Sequence, residues 1–252
     1  MPEFLTFALV APMASFGSIA VGERRGSWAR PGRSAVLGLV GACLGVQRDD
    51  DAGQAALAAC YGVALLCREA GTLLADYHTA QVPPTQRNRR FSTRAAELRA
   101  PDQNTILSRR DYRTGAWHLA CVWVRGPAPR WSLPKIVAAM HEPVFTPYLG
   151  RKSCPLGLPL APDIVEAEHA PAALLDRDEN GREATLRPQW LPRGTPSRTI
   201  TLDADDTPAE DPRLRPTRVE TRRDQPRSRH RWQFDLRREI VLDAVPTSPV
   251  AR

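Results

Sequence analysis

A glycine-studded apolar run constrains the fold more than any other stretch of this chain. Leu37, Leu39, Val40 and Leu44 are apolar at mostly helical spacing, Gly38, Gly41 and Gly45 lie between them, and Pro31-Gly32-Arg33-Ser34 leads in. Ser34 has the chemistry of an N-cap, so the pattern predicts a buried helix starting just after it, with free N–H groups offered to an anion. Gly38 and Gly41 each cost a helix interior about 1 kcal/mol relative to alanine. That cost makes sense if another backbone approaches closely there. The other reading is a tightly packed core helix.

Residues 4–10 read as a buried strand and residues 11–32 as a loop carrying Arg24, Arg25, Trp28 and Arg30 toward the helix. Residues 51–61 predict a second short helix, followed by a hairpin of residues 62–66 and 72–79 around Glu69-Ala70-Gly71. The order strand, helix, strand, strand predicts an α+β chain with a ferredoxin-like sheet of the RNA-recognition type. Residues 81–113 then read as a long, polar, arginine-rich loop, and an insertion of that length is functional or disordered.

Order returns with a strand over residues 115–124, where Trp117, Leu119, Cys121 and Trp123 share a face. A helix over residues 132–140 has Ser132 as N-cap and Pro134 in its first turn. A last strand is expected between residues 158 and 168, completing a domain of residues 1–168. From 169 to 252, Pro171, Pro188, Pro192, Pro196, Pro208, Pro212 and Pro216 interrupt any long element. Residues 198–202, 218–222 and 232–242 suit short strands, so this region reads as a small β-rich C-terminal appendage.

The formal charge is +7, and of 35 basic residues only Lys135 and Lys152 are lysines. Guanidinium forks bind phosphate bidentately and stack on bases, which suits a nucleic-acid partner. A genomic base-composition bias raises arginine too, but clustering is harder to dismiss. Residues 81–115 hold eight arginines against three acids, and residues 213–238 hold ten against three. The five cysteines are scattered, with no Cys-x-x-Cys pair, which argues for reduced thiols and against a metal site. No stretch has the length of a membrane span, and the expectation is a soluble cytoplasmic protein without a cofactor.

Gly150-Arg151-Lys152-Ser153 is not a nucleotide-triphosphate loop, because Arg151 and Thr146 stand where that motif needs glycines. It is a compact turn with two cations, a hydroxyl and a preceding aromatic, Tyr148. Such a turn can hold a sugar-phosphate bend while the ring stacks on a base.

Ala11-Pro12-Met13, Phe16-Gly17, Gly45-Val46-Gln47-Arg48-Asp49-Asp50, Asp76-Tyr77-His78-Thr79 and the Tyr148-to-Pro155 segment follow one another in an order and spacing that resemble the CasD ("Cas five") subunits of type I-E CRISPR Cascade complexes. The resemblance implies a non-catalytic subunit that binds and caps the 5′ handle of CRISPR RNA. It implies links to a CasC-type backbone subunit and a CasA-type large subunit, with target DNA met only through the complex. By the same resemblance Tyr148, Arg151, Lys152 and Ser153 lie against the handle, and residues 81–113 are the family's thumb. Arg87, Arg89, Arg90, Arg109 and Arg110 are then its phosphate contacts, with Tyr112 beside them. Arg24, Arg25, Arg33 and Ser34 line the other side of the handle. Some relatives in other subtypes are metal-independent endoribonucleases using tyrosine, histidine and lysine, so Tyr77, His78, Tyr112 and Lys152 define the alternative. Against it, His78 reads as a hydrogen-bonded structural histidine that also lies near RNA.

Overall fold

The computed structural model describes residues 1–17, 20, 22–85, 90–126, 128–191, 198–208 and 210–245. Its frame is one large sheet. Strand β1 (Glu3–Ala14) pairs on one side with β7 (Asn104–Val124) and on the other with β8 (Asp163–Glu166). Beyond β7 come β5 (Tyr61–Glu69), β9 (Thr199–Asp203), β11 (Gln233–Ala244) and β10 (Leu214–Ser228). Each of these neighbouring pairs is antiparallel. Short strands β2 (Phe16–Gly17) and β4 (Ser27–Trp28) form a separate ladder, and β3 (Arg24–Arg25) pairs with β7 in parallel.

Period-two alternation builds both cores. Leu5, Phe7 and Leu9 of β1 point to one face with Ala120 and Val122 of β7, under helices α1 (Arg33–Cys43) and α4 (Leu133–His141). Ala8 and Val10 point the other way, with Trp117, Leu119 and Cys121, beneath α5 (Ala170–Asn180). A central strand buried on both faces is a near-continuous apolar run, as residues 4–10 are. The helix over α4 forms as its sequence predicts, with the Ser132 hydroxyl accepting from the Lys135 N–H. Helix α2 (Asp51–Cys60) is capped by Asp50, whose carboxylate accepts the Gly53 N–H at 2.8 Å. A short helix, α3 (Arg94–Leu98), precedes β7, and another, α6 (Arg187–Trp190), follows α5.

His118, within β7, is buried against the Phe16 ring, and its Nε2 has no hydrogen-bond partner. Burial, reinforced by the Arg30 charge, pushes its pKa down to about 3. The unfolded chain therefore binds a proton here as pH falls below about 6.5, while the folded chain does not. His118 contributes stability above that pH and loses it toward pH 3, at about 1.4 kcal/mol per pH unit. His118→Leu is expected to flatten this slope, measured as urea midpoints between pH 7 and pH 5. Identical slopes in the two proteins would refute the assignment.

Four expectations are corrected. Helix α1 starts at Arg33 with Gly32 at the N-cap and no side-chain cap, so Ser34 already lies inside the first turn. The expected hairpin of residues 62–79 does not form. β5 and β6 (Thr72–Val82) both pair with β7, along successive stretches of it, and Gly71 adopts φ +77° without turning the chain back. The expected loop of residues 81–113 is in part a ribbon: β6 pairs with β7 from Thr72↔Thr114 to Val82↔Asn104, which takes in residues 81–82 and 104–113, and α3 lies between them. Nor is the region after residue 168 a separate appendage, because β9, β11 and β10 extend the main sheet from the edge of β5.

Candidate nucleic-acid interface

The turn predicted at residues 148–155 is tightly built. Tyr148 and Pro155 bridge its ends, the Leu149 N–H donates to the Cys154 carbonyl at 2.9 Å, and the Cys154 N–H donates to the Arg151 carbonyl at 2.8 Å. Leu149 and Cys154 are buried and anchor it, while Tyr148, Lys152 and Ser153 are exposed. It is fastened to the end of β1 by the Ser15 N–H, which donates to the Leu149 carbonyl at 3.0 Å.

Arg151 reaches sideways from this turn. Its Nη1 donates to the Asp111 carbonyl at 3.2 Å, its Nη2 donates to the Arg25 carbonyl at 3.0 Å, and its guanidinium lies 4.6 Å from the Tyr112 ring centre. One side chain thus ties the turn, β3 and the base of the ribbon together. There the parallel pairing sets Arg24 opposite Arg109 and Arg25 opposite Arg110. The buried Asp111 carboxylate holds Arg24 at 3.0 Å. Asp76 faces Arg110 across the ladder, but the five arginines still outnumber these two acids, and Arg24, Arg25 and Arg109 are exposed where phosphate oxygens can reach them.

A groove of about 2020 Å³ opens beside the turn, between α1, the 144–152 segment and the far end of the β10–β11 hairpin. Its cations include Arg25, Arg48, Arg151, Lys152, Arg227 and Arg229. Trp28, Tyr148 and Trp232 interleave with them as exposed rings. Guanidiniums with exposed aromatics are the surface chemistry that takes single-stranded nucleic acid.

Of the predicted residues, Arg24, Arg25, Arg109, Arg110, Tyr112 and Arg151 come together at the ribbon base. Ser34, Tyr148 and Lys152 line the groove or its rim, with Ser153 exposed on the same turn. Tyr112 is buried, so its ring supports Arg151 and is not a stacking platform. Arg90 is exposed beyond β6, and Arg87 and Arg89 lie outside the described residues. His78 is exposed on the ribbon opposite Ser108, and its hydrogen-bond contact is local, Nδ1 to Asp76 Oδ2 at 3.4 Å.

Arg33 is not a ligand for an external anion. Its side chain is buried, donates to the Tyr61 and Ala58 carbonyls at 2.6 and 2.9 Å, and lies 3.4 Å from Asp203. Burial pulls its pKa down to about 10 against the Asp203 charge. The helix N-terminus is likewise occupied internally, because the Arg33 N–H donates to Asp224 at 2.8 Å. Sequence reasoning missed Arg48, Arg227, Arg229 and Trp232. Arg48 stood in the Gly45-to-Asp50 motif, and the signal for the other three was the arginine cluster of residues 213–238, part of which is neutralised: Arg222 and Arg237 face Asp224 and Glu239.

The architecture is that of a CRISPR-associated protein. It aligns with a chain of a solved "CRISPR RNA-guided surveillance complex" at TM-score 0.59, with 21% identity, over 96% of this chain and 90% of that one. A second solved "Cas protein" aligns at TM-score 0.55 and 23% identity, over 96% and 95% of the two chains. The family model described as CRISPR-associated protein (Cas_Cas5) matches residues 4–238. The Escherichia coli (strain K12) protein "CRISPR system Cascade subunit CasD" is 32% identical over 189 residues, covering 72% of this chain and 80% of the relative. The chain belongs to the Cas5 family of CRISPR-associated proteins, to which its CasD resemblance pointed.

Proposed function

We propose that this chain is the Cas5 subunit of a type I-E Cascade effector in the cytoplasm, and that it binds and caps the 5′ handle of CRISPR RNA without cutting it. The observation that carries the reading is Arg151, which joins the cationic turn, Arg25 and the ribbon base around one groove. A handle passing there would meet the cations of the ribbon base on one side and Tyr148 and Lys152 on the other. The strand order β8-β1-β7-β5, with α1 and α4 packed on one face, supports reading the frame as a ferredoxin-like sheet of the RNA-recognition type. On the ribbon, Leu73, Leu74, Tyr77 and Ile106 are exposed apolar residues that suit burial by a CasC-type backbone subunit. A CasA-type large subunit is the other neighbour, and target DNA is met through guide pairing in the complex.

What favours a cap over a nuclease is where His78 stands: its neighbour Tyr77 alternates to the other face of the strand, and Tyr112 lies farther along the ribbon. His78 and Tyr112 face Ser108 and Leu74, four ladder positions apart, which is about 13 Å of ribbon. General acid and base must both reach the scissile phosphate, and Tyr112 is buried beneath Arg151. Two measurements test the proposal. Arg151→Ala/Lys152→Ala is expected to weaken handle RNA at least tenfold and to reduce the slope of log affinity against log salt by about 1.4, roughly 0.7 per phosphate contact. Unchanged affinity refutes the site. Labelled repeat RNA incubated with the protein in EDTA should stay intact; a specific product abolished by His78→Ala would replace the cap with an endoribonuclease.

A further inference from the structure

The end of the β10–β11 hairpin forms the groove wall away from the ribbon, and its charges are not balanced. Arg229 Nη2 donates to the Ser34 carbonyl in the first turn of α1 at 2.5 Å, while its buried Nε has no hydrogen-bond partner. Among the described residues no carboxylate pairs with it. The charge it feels is another cation: burial first, and then Arg48, lower its pKa to about 10. Elsewhere on this hairpin the buried guanidiniums Arg222 and Arg237 are matched by carboxylates. Two same-sign groups held together in a partly desolvated groove are stabilised by an anion lying between them.

Two features of the chain serve this arrangement and are otherwise costly. A Cβ on Gly38 would come within 3.1 Å of Arg229 Nη1, so the glycine that weakens helix α1 is the one that lets the guanidinium lie on it. A side chain approaches here, not the backbone that the sequence pattern suggested. Trp232 sits at φ +57°, in the left-handed region that bulky L-residues avoid, and is nevertheless 62% exposed. Its ring is held edge-on by Phe234, with centres 5.4 Å apart, and the Arg48 guanidinium lies 5.0 Å from its centre. Core packing cannot be the reason for an exposed ring on strained backbone.

We propose that Arg48, Arg229 and Trp232 form a second single-stranded RNA subsite, in which the two guanidiniums share a phosphate and the indole stacks on a base. It rests on the handle-binding reading and deepens it: the strand would run from the Arg151 turn along α1 to the C-terminal hairpin, within the same groove. Stacking on an aromatic ring is sequence-tolerant, so this subsite secures the strand without choosing its bases.

Arg48 and Trp232 are exposed, so Arg48→Ala and Trp232→Ala test the site without threatening the core. With handle RNA and the full-length protein, each variant is expected to bind about tenfold more weakly. Arg48→Ala should also reduce the salt slope by about 0.7, whereas Trp232→Ala should leave it unchanged. RNA should quench indole fluorescence more in the wild type than in Trp232→Phe. Wild-type affinity in both alanine variants, alongside loss in Arg151→Ala/Lys152→Ala, overturns this subsite and leaves the handle reading standing. Wild-type affinity in all three brings down both. Variants that bind RNA normally but fail to join other Cascade subunits would make the hairpin end a protein contact, which also overturns the proposal.

Discussion

Gly150→Ala is expected to destabilise the protein by about 3 kcal/mol or more and to weaken handle RNA at least a hundredfold. Gly150 adopts φ +90°, where L side chains are rarely found, and a Cβ there would stand 1.7 Å from the Ser15 carbonyl oxygen. That obstacle is backbone at the end of β1, so no side chain can swing aside to relieve it. The turn would have to lift, which breaks the Ser15 N–H bond to the Leu149 carbonyl and draws Arg151 off Asp111 and Arg25. Because that one guanidinium links three segments, the loss reaches the RNA site and not only the fold. Gly126→Ala is the control: it has a similar φ of +84° but nothing within 4 Å of the added carbon. It should lose only about 1 kcal/mol from backbone strain. Urea denaturation and RNA titration of the two variants give the comparison. Equal stability losses would mean that contact with Ser15 does not govern the turn.

The parts of the fold that the sequence made legible are those where local pattern and burial agree. Strand β1 and residues 115–124 of β7 alternate between two covered faces, and Ser132 caps its helix with the side-chain chemistry its position suggests. The ribbon was legible only in part: residues 72–79 read as a strand, but with the wrong partner. Residues 72–82 are exposed along almost their whole length, so no buried face marks which strand they pair with. Strand β10 reads from sequence as residues 218–222 only, since Pro216 discourages a longer element, and Pro226 also lies within the strand that forms. Yet β10 ends the strand order, and two of its three register shifts fall at Pro216/Arg218 and Pro226/Ser228, the third at Arg223/Gln225. At an edge a missing N–H breaks no ladder. The Glu69-Ala70-Gly71 segment has turn chemistry in either arrangement, and only pairing with β7 decides that the chain carries on.

The candidate site divides the same way. The turn around Arg151 was readable as a turn, but its attachment to residues 25 and 111 was not. Arg33 was misread because its decisive partner, Asp203, lies 170 residues away. An arginine at a helix start looks the same whether its counter-ion is a phosphate or a distant carboxylate.

Asp224→Ala carries the other large expected effect, a loss of about 3–5 kcal/mol, because the side chain joins α1 to the C-terminal strands. Its carboxylate accepts from Arg237 Nε and Nη2, both at 2.9 Å, and from the Arg33 N–H at 2.8 Å, with Arg222 Nε 4.0 Å away. Burial works to raise its pKa, yet hydrogen bonds and charge from Arg237 outweigh that and hold it below the ordinary aspartate value. The group is therefore a carboxylate at neutral pH, and removing it leaves buried guanidiniums with less counter-charge than they need. Arg237 keeps Asp203 and Glu239, each at 2.6 Å, but the Arg33 N–H at the head of α1 loses its acceptor. Adding Arg237→Ala to Asp224→Ala should cost less than the sum of the single changes, since the double variant removes both charges of the pair. The consequence should reach the groove as well. Ser34 and Gly38, which seat Arg229, stand on the helix turns that Asp224 fixes, so handle affinity should fall with stability. Urea denaturation of the two single variants and the double measures the coupling. Strict additivity, or a loss below about 1 kcal/mol for Asp224→Ala alone, would show that the remaining carboxylates suffice to hold the helix to the sheet.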